Sequence, residues 1–582
     1  PRSSAGGARS ELGSPSGMAK KRVGKAACKT PSKKAGGCSA PGGCCGAAKV
    51  LGALAAEGAG ETPNPQLAKD LFAREFAHLN GRCYLDHAGA APVPTSVAQQ
   101  AAGELLGAGN PHSANGAGTA TGARIAEARR SAAEALLGSF ANRYACVFTS
   151  GATAALKLVA DCFPWGEGSS FVYAADSHDS ARGIGDVARS HGAAVSEIAL
   201  SGSSSESRSR QARKMAYGSS GPHHLFTFPG EDNVTGAKHD IHRWVQLAKR
   251  GQLGHGAGRW YVCLDAAKLL ADSPLTLHED ALPDFVALSF YKIVGAPTGL
   301  GALLVKHEAL PMLARSKTYR GGGAAAAFLA AESGGSGVEA AIRDGGEAGG
   351  VRLLEDGTLP FQQIGLLRHG LRWLNSLGTP EARQMHAWRL RDDLARRLAA
   401  LRHPIAPGSA VGGRALGAAP ICLVYGPPAG APPSEVGGVV AFNVLDRQGR
   451  VVSHAKVGYA AAARGIDLRW GSFCNIGGLR QALLAAHGDG AKELYDPCWK
   501  PPDALAEDGY VNGALRASFG LASRGEDVAT LVEFVEAFVA AMVEPILKEA
   551  EGCDLDDADC DSTAASQETQ ETQETQETQE TQ

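Results

Sequence analysis

The sequence predicts an α/β protein built on a largely parallel sheet, and three observations carry that prediction. Between about Leu67 and Leu547, short runs rich in β-formers alternate with longer Ala-, Leu- and Arg-rich stretches of helical period, the pattern of strands joined by crossover helices. A chain of 582 residues with 44% hydrophobic content is long and apolar enough to bury a large core in two or three folding units. No period of 20 to 50 residues recurs, which sets repeat architectures aside.

Strands are expected at Tyr144–Thr149, Trp260–Leu264, Phe285–Phe290 and Gly301–Val305, and helices at Ala123–Leu137, Gly365–Leu377 and Pro380–Leu401. The Gly-rich stretch Ser333–Gly350 reads as a mobile surface loop. The Pro- and Gly-rich stretch Pro404–Pro433 reads as a linker before a strand at Gly438–Leu445, which opens a second, smaller domain. The ends differ from the middle. Residues 1–65 are Gly-, Ala-, Lys- and Cys-rich, and residues 549–582 are acidic and close in a Gln-Glu-Thr repeat; both are too poor in large apolar groups to fold and are expected to be disordered. Between them, residues 66–365 are assigned to a large domain, whose N-terminal end begins the small one, and 366–548 to the small C-terminal domain.

Composition narrows the function. The net charge is −3, and outside Lys20–Lys34 the basic residues are scattered, so nucleic acid is not expected as a partner. No run approaches eighteen apolar residues, so no membrane partner is expected. Thirteen irregularly spaced cysteines do not make a disulfide framework and point to a reducing, cytoplasmic setting. The basic segment after Met18 leaves organelle targeting open. Cys38, Cys44 and Cys45 have no second pair at metal-ligand spacing, so no metal site is expected. The chain does not begin with Met, which reads as an incomplete sequence.

Three segments carry chemistry. Tyr144–Thr149 runs into Ser150, Gly151, Ala152 and Thr153 and then a helix, so free backbone N–H groups and a helix dipole can meet a phosphate; helix capping is the plainer reading. Trp260–Leu264 ends on Asp265, which would point into the crevice where open α/β sheets bind ligands, or would simply turn the chain. Phe285–Tyr291 ends on Lys292, whose ammonium form is disfavoured among apolar neighbours, making the amine nucleophilic; an exposed loop lysine is the alternative. Phosphate cradle, carboxylate and lysine, in that chain order, are the equipment that pyridoxal 5′-phosphate needs.

Over most of Leu67–Leu547 the sequence resembles the class V aminotransferase and cysteine desulfurase superfamily. Tyr84-Leu-Asp-His-Ala-Gly-Ala-Ala91 is similar to its opening motif and Asn110-Pro-His-Ser113 to its following loop near the cofactor. The segment from Ser289 to Val305 and the segment Leu468-Arg-Trp-Gly-Ser-Phe-Cys474-Asn475-Ile-Gly477 are similar to the lysine and cysteine segments of molybdenum cofactor sulfurases. The resemblance implies the aspartate aminotransferase-like fold type I, with a seven-stranded, mostly parallel sheet and a smaller α/β domain, and a homodimer. It implies that His178 stacks on the cofactor ring, Asn233 bonds its phenolic oxygen, Asp265 keeps its nitrogen protonated, and Lys292 carries it and moves the substrate's α-proton. Arg516 and Asn475 would bind the substrate. Cys474, on a flexible Gly-flanked loop, would take sulfur from L-cysteine as a persulfide and leave alanine, the sulfur passing to the molybdenum cofactor or a protein that holds it.

Two positions depart from the superfamily: Lys268 stands where many members have Gln or His, and Ala324 where many have a phosphate-binding Thr. Three other readings stay open at this point. The chain could be a desulfurase serving iron–sulfur or thiolation pathways, a class V aminotransferase or lyase without sulfur transfer, or a silent interaction protein.

Overall fold

The structure, a computed structural model, describes residues 70, 72–200, 221–253, 258–322, 337–404, 410–411, 414–415, 419–487 and 513–551. The expected disordered ends, the Cys38, Cys44 and Cys45 cluster and Ala324 lie outside the described residues. Strands run in chain order β1 (Cys83–Tyr84), β2 (Tyr144–Thr149), β3 (Ser170–Ala174), β4 (Ala194–Ile198), β5 (His223–Pro229), β6 (Arg259–Asp265), β7 (Phe285–Ser289) and β8 (Gly301–Lys306). They continue as β9 (Ala410–Val411), β10 (Arg414–Ala415), β11 (Cys422–Tyr425), β12 (Val439–Val444), β13 (Ile466–Asp467), β14 (Arg469–Gly471) and β15 (Ala514–Ser518).

Seven strands form the main sheet in the order β2-β8-β7-β6-β5-β3-β4. Only β8 runs antiparallel to its neighbours. The central strands are buried on both faces, which is why they read as unbroken apolar runs such as Trp-Tyr-Val-Cys-Leu in β6. One face packs Val262, Leu264, Val286 and Leu288 against the helices Gly116–Leu137, Ile241–Lys249 and Phe361–Ser376. The other packs Tyr261, Cys263 and Phe285 against the helix Ala152–Cys162 and its neighbours.

A four-stranded antiparallel sheet, β11-β12-β15-β14, has its own core, in which Val440, Phe442 and Leu515 meet Leu394 and Leu398 of the helix Pro380–Ala400 and Val528, Leu531 and Val535 of the helix Gly525–Glu551. β1 pairs with β13 beside it.

Two expectations are corrected. Much of the expected loop Ser333–Gly350 belongs to a helix, Gly337–Leu354, kinked at Gly346. Val338, Ala341 and Ile342 pack on Ala314 and Leu353, and this packing outweighs the weak helix propensity of the glycines. The expected linker Pro404–Pro433 holds β11, whose Cys-Leu-Val-Tyr run pairs with β12 and is hidden in sequence by the prolines and glycines around it. Among the described residues no helix is long and apolar enough to cross a membrane.

Glu355, which follows the kinked helix, braces the open edge of the main sheet. Its carboxylate accepts from the backbone N–H of Phe148 (2.7 Å) and from both terminal nitrogens of Arg129 (2.7 and 3.0 Å). Both side chains are largely buried, so losing one leaves the other charge uncompensated. Glu355→Ala is expected to cost about 3 kcal/mol or more in chemical denaturation, while Arg129→Leu combined with Glu355→Leu recovers much of that loss.

Candidate active site

The segments at the C-terminal ends of β2, β3, β5, β6 and β7 build one cavity, lined in part by Thr153, His178, Asn233, Asp265, Lys268 and Lys292. β6 ends on Asp265, which is buried and accepts from the N–H of Ala267 (3.0 Å). β7 passes into a short helix, Phe290–Val294, that presents Lys292 half-buried in the cavity wall. Gly295 ends that helix at φ 77°, and a Cβ there would lie 2.6 Å from the Pro92 carbonyl oxygen, so both the turn and the close approach require glycine.

Burial lowers Lys292 from the ordinary 10.5 to about 8; Asp265 opposes the shift, while Arg516, Lys268 and Arg469 add to it. At pH 7 roughly one such amine in ten is neutral, against about one in three thousand for an unperturbed lysine. His178 is likewise held below its ordinary value by burial. Its Nδ1 accepts from the Ser180 N–H (3.1 Å), so in the neutral ring Nε2 carries the proton.

The helix Ala152–Cys162 starts at the cavity. Ser150, Gly151, Ala152 and Thr153 lead into it, with Gly151 at φ 145°. The Ala152 N–H donates to Ser289 Oγ (2.8 Å), and the Thr153 and Ser180 hydroxyls are 2.8 Å apart. Ser289 and Ser180 were not singled out from sequence; Ser289 sits three residues before Lys292, but only the fold brings it to the start of this helix. A helix start with three hydroxyls, a strand-end carboxylate and a lysine held near neutrality fit the phosphate, ring nitrogen and aldehyde of pyridoxal phosphate.

Arg516, on β15, does not line this cavity. It is 2% exposed and donates through Nη1 to the Asn233 carbonyl oxygen (2.9 Å) and through Nη2 to Asp86 (2.9 Å). Phe473 covers its guanidinium, the ring centroid 4.9 Å away. Arg469 stands opposite Arg516 on the β14–β15 ladder and adds a second positive charge that acts on both Lys292 and His178.

The cysteine segment is tied down on both sides, a correction to the flexible arm expected from its glycines. Cys474 is exposed, yet it and Phe473 both have left-handed backbones, at φ 55° and 59°. The Phe473 carbonyl accepts from Asn233 Nδ2 (3.0 Å) and the Cys474 carbonyl from the Asp179 N–H (2.9 Å). The Cys474 sulfur is near enough that its charge, after burial, raises the pKa of Tyr291, a cavity-wall residue.

Asn475, expected at the substrate, is instead 0% exposed. Its Nδ2 donates to the Asp176 carbonyl, Asp232 and Asn233 (2.8, 3.1 and 2.8 Å), and its Oδ1 accepts from the Gly478 N–H (2.8 Å). Buried and engaged at both ends of its amide, it holds the loop. The loop Asn110–Ser113, expected near the cofactor, does not line the cavity; it packs against the start of the helix Gly116–Leu137, where a Cβ on Gly118 would clash with the Asn110 and Ser113 carbonyls. Among the described residues no group of three or more His, Cys, Asp or Glu is placed to hold a metal ion.

A crevice at the ends of parallel strands, with this lysine, carboxylate and helix start, defines the fold type I class of pyridoxal-phosphate proteins. Within that class the chain belongs to the class V aminotransferase family, whose sequence pattern matches residues 83–531. It is 35% identical over 483 residues to the molybdenum cofactor sulfurase of Bos taurus, covering 80% of this chain and 51% of that protein. It is 33% identical over 531 residues to the one from Arabidopsis thaliana, covering 85% of this chain and 60% of that protein. The chain thus spans little more than half the length of these relatives. In fold it is similar to the cysteine desulfurase CsdA from Escherichia coli, with a TM-score of 0.55 and 21% identity, covering 81% of this chain and 98% of that one. It is similar also to the cystine C-S lyase C-DES solved with its product cysteine persulfide, with a TM-score of 0.55 and 18% identity over 79% of this chain and 99% of that one.

The cofactor-free protein is expected to take up pyridoxal phosphate about tenfold faster per pH unit as pH rises toward 8, then at a level rate, because only the neutral amine attacks the aldehyde. Visible absorbance follows the uptake. A rate that keeps climbing to pH 10 would show Lys292 to be an ordinary lysine.

Proposed function

We propose that the chain is a pyridoxal-phosphate-dependent L-cysteine desulfurase whose sulfur is destined for the molybdenum cofactor, either free or held by a protein. The observation that carries this reading is that the loop of the exposed Cys474 is hydrogen-bonded to the walls of the cavity that contains Lys292 and Asp265, through Asn233 and through Asp179 next to His178. Bound there, pyridoxal phosphate supplies an electron sink for the substrate's α-carbon.

The protein's residues do the rest. Asp265 holds a proton on the ring nitrogen. Asn233 would bond the phenolic oxygen, and His178 would stack on the ring. Ser150, Gly151, Ala152 and Thr153 hold the phosphate. Lys292 Nζ takes the α-proton. Arg516 reads the substrate carboxylate, exchanging Asp86 for it. The Cys474 thiolate attacks the substrate sulfur as the Cβ–S bond breaks; the bonding pair stays with carbon, which gains a proton. L-Cysteine and one protein thiol thus become L-alanine and one protein persulfide, with atoms and electrons balanced.

The names of the relatives support the molybdenum cofactor as acceptor. The likeness to the class V aminotransferase family supports a homodimer. Buried free thiols at Cys83, Cys146, Cys162, Cys263 and Cys422 suit a reducing, cytoplasmic setting. The reading keeps the division into a large domain over 66–365 and a small one over 366–548.

Protein from about Gly60 to Leu547 is expected to be yellow and to form alanine from L-cysteine with a thiol-labile sulfur on Cys474. Lys292→Ala and Cys474→Ala should each lose about a thousandfold or more in alanine formation. A yellow protein whose turnover ignores Cys474 would be an aminotransferase or lyase, and a colourless one would be neither.

A further inference from the structure

Lys268 lies in the cavity wall, 4% exposed, and its ammonium is clasped by two carboxylates: Glu231 Oε1 at 2.7 Å and Asp272 Oδ2 at 2.7 Å. Both partners are at least as buried. Lys238 Nζ, fixed to the Pro433 carbonyl at 2.7 Å, adds a second cation acting on the same two carboxylates. Buried ion pairs are poor stabilisers, because the cost of removing charges from water consumes most of the attraction between them. Their contribution is direction, and here the direction is specific.

Glu231 is bridged to Lys238 across a tight turn. Inside that turn Asn233 touches both working elements of the small domain: its carbonyl holds Arg516, and its side chain holds the carbonyl of Phe473 and the amide of Asn475. Asp272 Oδ2 also accepts from the Gly438 N–H (3.0 Å). Gly438 immediately precedes β12, which pairs with β15 at Val439↔Ser518, two residues from Arg516. Gly437 and Gly438 are shaped for this joint: a Cβ on Gly437 would lie 2.1 Å from Glu231 Oε1, and one on Gly438 2.9 Å from Asp272 Oδ2.

We infer that Lys268 is a positioning residue: by clasping Glu231 and Asp272 it fixes the Glu231–Lys238 turn, and with it Arg516 and the Cys474 loop, to the floor that carries Lys292. The inference rests on the desulfurase reading, in which Arg516 receives the substrate carboxylate. It assigns the lysine at this position to the frame of the site, where it never touches the reacting atoms.

The test uses the full-length holoenzyme and two probes read by the visible absorbance of the bound cofactor: L-alanine, which has a carboxylate, and ethylamine, which has none. Lys268→Met is expected to weaken L-alanine about tenfold, the scale of loss when a binding group is displaced by part of an ångström, and to leave ethylamine unchanged. KM for L-cysteine should rise by a similar factor, with kcat changed less. Gly437→Ala keeps every charge and wedges the Glu231 carboxylate, so it should show the same selectivity even where Lys268→Met does not accumulate. Unchanged L-alanine binding in these variants, or equal weakening of both probes, overturns the inference. A wild type without a visible band, or blind to L-alanine, overturns the desulfurase reading itself.

Discussion

The register of β5, β6 and β7 is the constraint from which the site follows. Pro229 lies opposite Asp265 and Asp265 opposite Ala287, so β5 and β6 end at one level and β7 runs two residues past it. Whatever follows each end, the Asn233 turn, the Asp265 carboxylate or the Lys292 helix, must emerge at the same edge of the sheet. Parallel strands give this for nothing more than hydrogen-bonded register, which is why ligands gather at the carboxyl ends of such sheets. Sliding β7 by one residue would move Lys292 by about 3.3 Å and turn the side chains of the strand to the opposite faces.

On that edge the electrostatics divide into two regimes. Lys292 is desolvated with one carboxylate in partial opposition, and its amine is freed. Lys268 is desolvated too, but Asp272 and Glu231 outweigh burial and hold its charge. Two lysines in the wall of one cavity are thus driven in opposite directions by the number of carboxylates each can reach.

The sequence made much of this legible, for reasons that vary by residue. β2, β6, β7 and β8 could be read because buried strands carry an unbroken apolar signal. Asp265 and Lys292 could be read because each ends such a strand. What escaped were features decided by tertiary contact. The helix Gly337–Leu354 is written in glycines and stands by tertiary packing, Leu353 against Ala314 and Val351 and Leu354 in the core beneath the main sheet. The glycines around Cys474 suggested freedom, yet Asn233, Asp179 and Asn475 fasten that loop through bonds to residues hundreds of positions away in the chain. Asn475 carried a polar amide beside the cysteine, and nothing in its neighbours announced that every part of that amide would be used inside the protein. Lys268 looked like a substitution in a cofactor contact; its surroundings, Glu231, Asp272 and two glycines just ahead of β12, come together only in the fold.

The pairing of the first strand with the last part of the chain bears on how the protein is made. Asp86 waits for Arg516, 430 residues further on, and β1 waits for β13. At ribosomal speeds of about 5 to 20 residues per second, some 20 to 90 seconds pass between the emergence of the two ends. For that interval β1 has an unpaired edge and Leu85, later fully buried, faces water. The large sheet can form meanwhile, but the corner that holds Arg516 cannot. Over that stretch of synthesis the nascent chain carries an unpaired, sticky strand, a standing demand on whatever shields it from its neighbours on the same message.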